Sequence, residues 1–121
     1  MKFKNLTLHK ITLTEDLQSS VEVVEPDLDK RDLIIDPDNI DEEFDRLLNL
    51  ITPYLQSGDR VITGGHPLLC QAVITACMIK GAVPYMTKID EFKRVYYLFR
   101  VPTYFDMDRK RRLELENTTI L

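Results

Sequence analysis

Two glycines followed by a histidine and a proline form the stretch of this chain that is best suited to chemistry. A short β-branched run leads through them into an apolar segment, in the order Arg60-Val61-Ile62-Thr63-Gly64-Gly65-His66-Pro67. Glycine lets the backbone turn sharply and approach a ligand closely, and proline is favoured at the first position of a helix. The free N–H groups of a helix amino terminus bind anions, phosphate in particular. The pattern therefore predicts a strand, a turn and a helix whose first turn holds a phosphate group.

This stretch matches neither of the common nucleotide-binding motifs. The sequence holds no G-x-G-x-x-G fingerprint and no G-K-[ST] ending of a phosphate-binding loop. A junction that needs glycine only for tight packing of the strand against the helix is therefore an alternative interpretation.

The charge of the chain is distributed unevenly. Residues 1–57 carry six basic and thirteen acidic side chains, whereas residues 58–121 carry ten basic and seven acidic ones. The acidic first half would repel a long polyanion, so duplex DNA is not expected as a partner. A small anionic ligand bound by the second half is favoured.

The hydrophobic pattern predicts one α/β domain over residues 1–121, with a basic tail from about residue 106. The β-rich runs at residues 2–14 and 20–24 predict an amino-terminal hairpin, and residues 33–35 predict a brief edge strand.

The second half of the chain predicts a right-handed β-α-β unit. Residues 60–63 and 82–89 are the two strands, which are parallel because a helix connects them. A turn at residues 90–93 then leads into a last strand over residues 94–101. The small mixed sheet that results is Rossmann-like or ferredoxin-like.

Two main helices are predicted to pack on this sheet. The first follows Asn39, which opens a variant capping box, and Pro53 is expected to kink it or end it early. The second begins at Pro67 and ends at Lys80 and Gly81, and it is apolar almost all round. Such a helix lies centrally in the fold or is covered by a second subunit, which predicts a homodimer or a higher homo-oligomer.

The remaining residues bear on metals, disulfides and location. Cys70 and Cys77 lie two helical turns apart and cannot pair with each other, and together with His9 and His66 they do not indicate a four-ligand zinc site. The sequence identifies no cofactor.

The sequence shows no signal peptide and no apolar run of about 18 residues, which predicts a cytoplasmic protein without a membrane partner. The cations at residues 109–112 predict a short solvated helix, with a contact to nucleic acid or to the acidic loop of a partner as alternatives.

The order of these elements, with Thr63-Gly64-Gly65-His66-Pro67 before a helix and Asp90 after the next strand, resembles the small CRISPR-associated ring nucleases. The motif of that family reads Ser-Gly-x-x-Pro before the helix and Asp-Pro-Arg after the later strand. The match covers mainly residues 58–101.

The resemblance implies a homo-oligomer that binds cyclic tetra-adenylate, the second messenger of type III CRISPR antiviral defence, with cleavage of the ring as a further activity. In that family the ribose 2′-hydroxyl attacks the adjacent phosphodiester, a hydrolase activity that would be metal-independent or assisted by manganese. The aspartate of the family falls on Asp90, and its phosphate-holding Ser-Gly falls on Thr63 and Gly64. The predicted ligand-binding set also includes Gly65, Pro67, Lys88, Arg94 and Arg100.

The sequence departs from the family at two points, and both bear on hydrolysis more than on binding. The catalytic histidine of the family falls near Lys80 and Gly81, where this chain has no histidine. Its Pro-Arg after the aspartate is replaced by Glu91 and Phe92.

His66 is the predicted substitute for that histidine. A helix amino terminus favours the neutral imidazole, which suits a general base. Lys88, Arg94 or Arg100 would then stabilise the charge that grows on the phosphate. The alternative interpretation is that His66 is an N-cap.

Two classes of function follow from these observations. The first is a cyclic-oligonucleotide-binding or -cleaving protein, in which two copies surround a two-fold symmetric ligand. The second is a non-enzymatic, oligomerising interaction module of a larger complex, which needs no chemistry at residues 63–67.

Overall fold

The computed structural model describes residues 1–103 of the chain and shows five strands and three α-helices in that part. The strands are β1 (Lys2–Asn5), β2 (Glu22–Val24), β3 (Arg60–Thr63), β4 (Val83–Asp90) and β5 (Val95–Arg100). The helices are α1 (Glu15–Gln18), α2 (Ile40–Ile51) and α3 (Pro67–Lys80), and 3-10 turns occupy Lys30–Leu33, Pro37–Asn39 and Thr52–Tyr54. The predicted basic cluster at residues 109–112 lies outside the described residues.

The strands form one mixed sheet in the order β2-β1-β3-β4-β5. Neighbouring strands from β2 to β4 are parallel, and β5 runs antiparallel to β4. The predicted mixed α/β sheet is therefore confirmed, as are the parallel pair around α3 and the last turn and strand. The parallel pairing from β2 to β4 does not fit the ferredoxin-like alternative, because a ferredoxin-like sheet alternates its strand directions.

The predicted amino-terminal hairpin is wrong, because β2 pairs with β1 in parallel. The first strand stops at Asn5, whose Oδ1 accepts hydrogen bonds from the Thr7 N–H at 3.0 Å and from the Thr7 hydroxyl at 2.6 Å. Local bonds of this kind offer the backbone an alternative to the sheet ladder. The chain therefore turns out of the sheet where the alternating pattern predicts a continuous strand.

Residues 6–14 cross from the end of β1 to the outer edge of β5. There the Thr12 carbonyl accepts a hydrogen bond from the Tyr96 N–H, and the Thr14 N–H donates to the Tyr96 carbonyl. Leu13 is buried at this contact. The connection from β1 to β2 therefore passes over the carboxyl ends of β3 and β4, which lie between β1 and β5.

The predicted edge strand at residues 33–35 is also wrong. Lys30–Leu33 is a 3-10 turn, because the Asp29 side chain caps it by accepting a hydrogen bond from the Arg31 N–H. Leu33 is fully buried in the core and fixes this turn against the helices.

The two main helices pack together on one face of the sheet. Pro53 lies in the 3-10 turn that ends the first of them, as predicted. The buried side of α3 contacts α2 and Val61 of β3, through Leu69, Ala72, Val73, Ala76 and Cys77. Burial raises the pKa of the Cys77 thiol to about 12, so this cysteine acts as a small apolar residue.

The loop before α2 is held by an ion pair that Glu43 forms with Arg46. Arg46 donates from Nε and Nη2 to the two carboxylate oxygens at 2.6 and 2.7 Å, and it also donates to the carbonyls of Asp32 and Ile34. Glu43 accepts a further hydrogen bond from the Asp36 N–H. The Arg46 guanidinium is the main cause that lowers the pKa of Glu43 from 4.5 to about 2.

We expect the Glu43 ion pair to make folding stability depend on acid pH. A carboxyl whose pKa is lower in the folded state stabilises the fold above its unfolded pKa, and this stabilisation is lost as the pH falls from about 4.5 to about 2. In urea unfolding, Glu43→Gln should flatten the stability profile in that window. Glu42→Gln is the matched control at an exposed neighbour, and an equal flattening in both variants would contradict this role.

Candidate functional site

The carboxyl ends of β1 and β3 form the topological switch point of this sheet. These two strands are neighbours, and in the strand order β2 lies beyond β1 on one side while β4 lies beyond β3 on the other. In open α/β sheets, ligands bind near such a point in the strand order. In this chain residues 6–14 first cross the carboxyl ends of β3 and β4, so they form part of the same edge. The Thr63-Gly64-Gly65-His66 junction stands at this point, directly after β3.

The backbone of the junction suits an anion. Gly65 has φ +89°, a left-handed conformation that favours glycine. The N–H groups of Gly64, Gly65 and His66 donate no hydrogen bond to any of the described residues. Successive free N–H groups around a left-handed residue form a concave anion-binding surface, and the positive end of the α3 dipole adds to it.

Thr63 adds a polar group that lacks a partner. Its side chain is fully buried on the sheet face that α3 covers, and within residues 1–103 its Oγ makes no hydrogen bond. An unpaired buried hydroxyl costs about 1–3 kcal/mol. The last residue of β3 therefore carries an unused donor and acceptor directly before the glycines.

His66 is the N-cap of α3, as one of its two interpretations predicts. Its Nδ1 accepts a hydrogen bond from the Leu68 N–H at 3.1 Å. A neutral imidazole that accepts at Nδ1 carries its proton on Nε2. The exposed edge of the ring therefore presents a donor, and the capped histidine does not offer a free basic nitrogen.

Lys88 is the predicted cation that lies nearest to the junction. Thr63 pairs with Met86 in the register of β3 and β4, and Lys88 stands two residues further along β4, on the same face. The distance along the strand is about 7 Å. Lys88 is exposed, so a phosphate bound at the amino terminus of α3 lies within reach of its side chain.

Asp90, Arg94 and Arg100 are not brought to this junction within one chain. Asp90 stands four residues beyond Met86, about 13 Å along the strand. Its carboxylate accepts hydrogen bonds from the N–H groups of Phe92 and Lys93 in the hairpin turn. Arg94 belongs to that turn, with φ +52°. Arg100 lines a surface cavity at the opposite, carboxyl end of α3.

The sequence analysis missed the loop that follows β1. Thr7 lies against the junction, since a Cβ on Gly64 would stand 3.5 Å from Thr7 Cγ2. His9 and Lys10 follow in the same loop and are exposed. The sequence signal for this loop is the spacing of Asn5 and Thr7, which is typical of an Asx turn. The alternating apolar residues around them suggest a strand instead.

Buried hydrogen bonds hold this loop in place. Asn5 is fully buried, and its Nδ2 donates to the His9 carbonyl at 2.8 Å and to Glu25 at 2.9 Å. Glu25, just after β2, also pairs with Lys30. The loop is therefore tied to the connection that follows β2, and the backbone of His9 is fixed by the fold.

No model of a known protein family matches this chain, and no curated protein matches it. Among the described residues, no group of three or more histidine, cysteine or acidic side chains is arranged to hold a metal ion. No helix in residues 1–103 has the length and apolar character needed to cross a membrane.

We expect the two glycines of the junction to respond differently to alanine. Gly65→Ala should lower the free energy of unfolding by about 1–2 kcal/mol, because a side chain disfavours the left-handed conformation although space is available. Gly64→Ala should change it by less than about 0.5 kcal/mol, because its φ is not in that region and its Cβ would meet only ordinary contacts. Urea unfolding measures both, and a larger loss at Gly64 would contradict the backbone assignment.

Proposed function

We propose that this protein binds a cyclic oligoadenylate, with cyclic tetra-adenylate as the favoured ligand, in type III CRISPR defence. The observation that carries the proposal is the switch-point junction, where three free N–H groups, the amino terminus of α3 and the unpaired Thr63 hydroxyl meet. The choice of a cyclic oligoadenylate over other phosphorylated ligands rests on the resemblance of residues 58–101 to the ring nucleases.

Phosphate recognition at this junction uses backbone groups rather than a cluster of cations. Pro67 has no N–H, and His66 occupies the N–H of Leu68. Contacts to the phosphate oxygens therefore come from Gly64, Gly65 and the backbone of His66, with Lys88 as the nearby positive charge. One junction of this size holds one phosphate, so a ring with several phosphates needs more than one copy of the site.

A homodimer meets that need with a single surface. A cyclic tetra-adenylate has two-fold symmetry, and a two-fold dimer presents the same residues to both halves of the ring. The β4-β5 hairpin extends past the end of β3 and carries Asp90 and Arg94 at its tip. In this arrangement these side chains act at the rim of the site and not at the phosphate beside Gly64.

We expect cyclic tetra-adenylate to stabilise the protein in a thermal-shift titration, by about 2.7 kcal/mol at 100 times its dissociation constant. Lys88→Ala should weaken binding by roughly tenfold to 100-fold, the value of a hydrogen bond to a charged group. Lys80→Ala, an exposed lysine at the far end of α3, is the control and should bind as the wild type does.

Thr63→Val tests the role of the Thr63 hydroxyl in the same titration. It removes the unpaired hydroxyl, so stability without ligand should be unchanged or higher, while the affinity for the ligand falls. A lack of any shift with cyclic tri-, tetra- or hexa-adenylate in the wild type would refute the proposal.

An oligomerising interaction module is the second candidate, and an apolar surface favours it. Met86 and Phe99 are cross-strand neighbours on the same face of the β4-β5 hairpin, and Tyr97 stands beside them. Their exposed fractions are 36%, 45% and 44%. By contrast, Val73 and Cys77 are fully buried inside the subunit, so they are not available to a second copy.

If this hairpin surface joins two copies, Phe99→Ser should halve the molar mass measured by light scattering after gel filtration. The reason is that a polar group would replace apolar contact area at the centre of the surface. Phe92→Ser is the matched control, because Phe92 is fully exposed at the hairpin tip, away from that surface. The interaction module alone is supported if the mass halves and no nucleotide shifts the melting temperature. An unchanged mass in Phe99→Ser excludes this surface.

A further inference from the structure

We propose that Thr87 is a further ligand-binding residue of this site, whose hydroxyl donates a hydrogen bond to the phosphate from the sheet face opposite α3. The phosphate approaches the backbone through the space over Gly64. The inference rests on the proposed function, because it needs a bound phosphorylated ligand. It adds a side-chain contact on β4 that the sequence analysis did not predict.

The fold itself does not require a glycine at position 64. The φ angle of Gly64 lies outside the left-handed region, unlike that of Gly65. A Cβ at Gly64 would meet its two nearest described atoms at 3.5 and 3.9 Å, which are ordinary van der Waals distances. Neither backbone strain nor tight packing therefore explains this glycine. Close approach of a ligand to the backbone is the other common use of a residue without a side chain.

The space over Gly64 lies between the loop after β1 and strand β4. The position that a Cβ would occupy there is 3.5 Å from Thr7 Cγ2 and 3.9 Å from Thr87 Oγ1. Apart from the chain neighbours of Gly64, no other described residue comes within 4 Å of it. A ligand oxygen at that position needs to move only about 1 Å toward Thr87 to reach the usual distance between hydrogen-bonded oxygens.

The register of the sheet explains why Thr87 reaches this position. Thr63 pairs with Met86, so these two side chains lie on one face of the sheet. Side chains alternate along a strand, so the next residue of each chain segment faces the other way. Thr87 and a Cβ on Gly64 therefore share the face opposite α3, in agreement with the distance of 3.9 Å. Lys88 follows on the face of α3, so consecutive residues of β4 offer a donor from each face.

The Thr87 hydroxyl is available to a ligand. Its Oγ makes no hydrogen bond with any other described residue, and the residue is partly exposed. The Thr7 hydroxyl, by contrast, is engaged at 2.6 Å by Asn5 Oδ1 and at 3.0 Å by the His9 carbonyl. The loop after β1 therefore presents a methyl group to this space, and Thr87 supplies the hydroxyl, which can donate to a phosphate oxygen.

The test measures the affinity of the full chain for cyclic tetra-adenylate by titration calorimetry. Thr87→Val keeps the branched shape that suits a strand and removes the hydroxyl. The affinity should fall roughly tenfold to 100-fold, the value of a hydrogen bond to a charged group. Thr87→Ser returns the hydroxyl and should recover most of that loss. Thr12→Val makes the same change at an exposed threonine beside the outer edge of β5 and should bind as the wild type does.

Gly64→Ala tests the path of the phosphate. Its methyl group would fill the space between Thr7 and Thr87 without a clash inside the protein. The melting temperature without ligand should therefore stay close to that of the wild type. The affinity should fall roughly tenfold or more, the effect of an extra methyl group in a closely packed contact.

The outcomes separate this inference from the binding proposal. Wild-type affinity in Thr87→Val, or a loss of the same size in Thr12→Val, would overturn the hydroxyl contact. Wild-type affinity in Gly64→Ala would overturn the approach over the glycine. In each of these cases the wild type still binds, so the proposed function stands. A wild type that does not bind cyclic tetra-adenylate would overturn both proposals.

Discussion

The buried amide of Asn5 is the constraint on which the arrangement of the carboxyl edge depends. A fully buried side-chain amide must satisfy its donors and its acceptor within the protein, and Asn5 does so with Thr7, His9 and Glu25. These bonds end the first strand and direct the chain across the ends of β3 and β4. They also connect the loops after β1 and β2, so buried hydrogen bonds hold the loop that lies against Gly64.

The unequal lengths of β3 and β4 determine how far the charged side chains of β4 lie from the amino terminus of α3. The last residue of β3, Thr63, pairs with Met86 of β4. Strand β4 continues for four further residues, and over that length it pairs only with β5. The side chains along this extension therefore lie at increasing distances from α3, first Lys88 and then Asp90. The hairpin turn uses the Asp90 carboxylate for its own N–H groups, which gives that residue a structural role in the isolated subunit.

Much of the second half of this fold follows from local signals, and much of the first half does not. Gly58, Pro67 and Gly81 mark the limits of β3 and α3 in the sequence, because each meets a backbone requirement at its own position. The path of residues 6–14 depends on the burial of Asn5, which is a property of the whole fold. In the same way, the loop after β1 comes to lie beside Gly64 only through the pairing of β1 with β3, a contact between residues more than fifty positions apart.

The dual interpretation of His66 as cap or base has a physical answer in the hydrogen bond to Leu68. One nitrogen cannot accept a helix N–H and a substrate proton at the same time, and the other nitrogen already carries a proton. Cap and donor are compatible in one imidazole, whereas cap and base are not. The proposed phosphate contacts therefore come from the free backbone N–H groups of the glycines after β3, while the capped ring keeps its Nε2 edge exposed beside them.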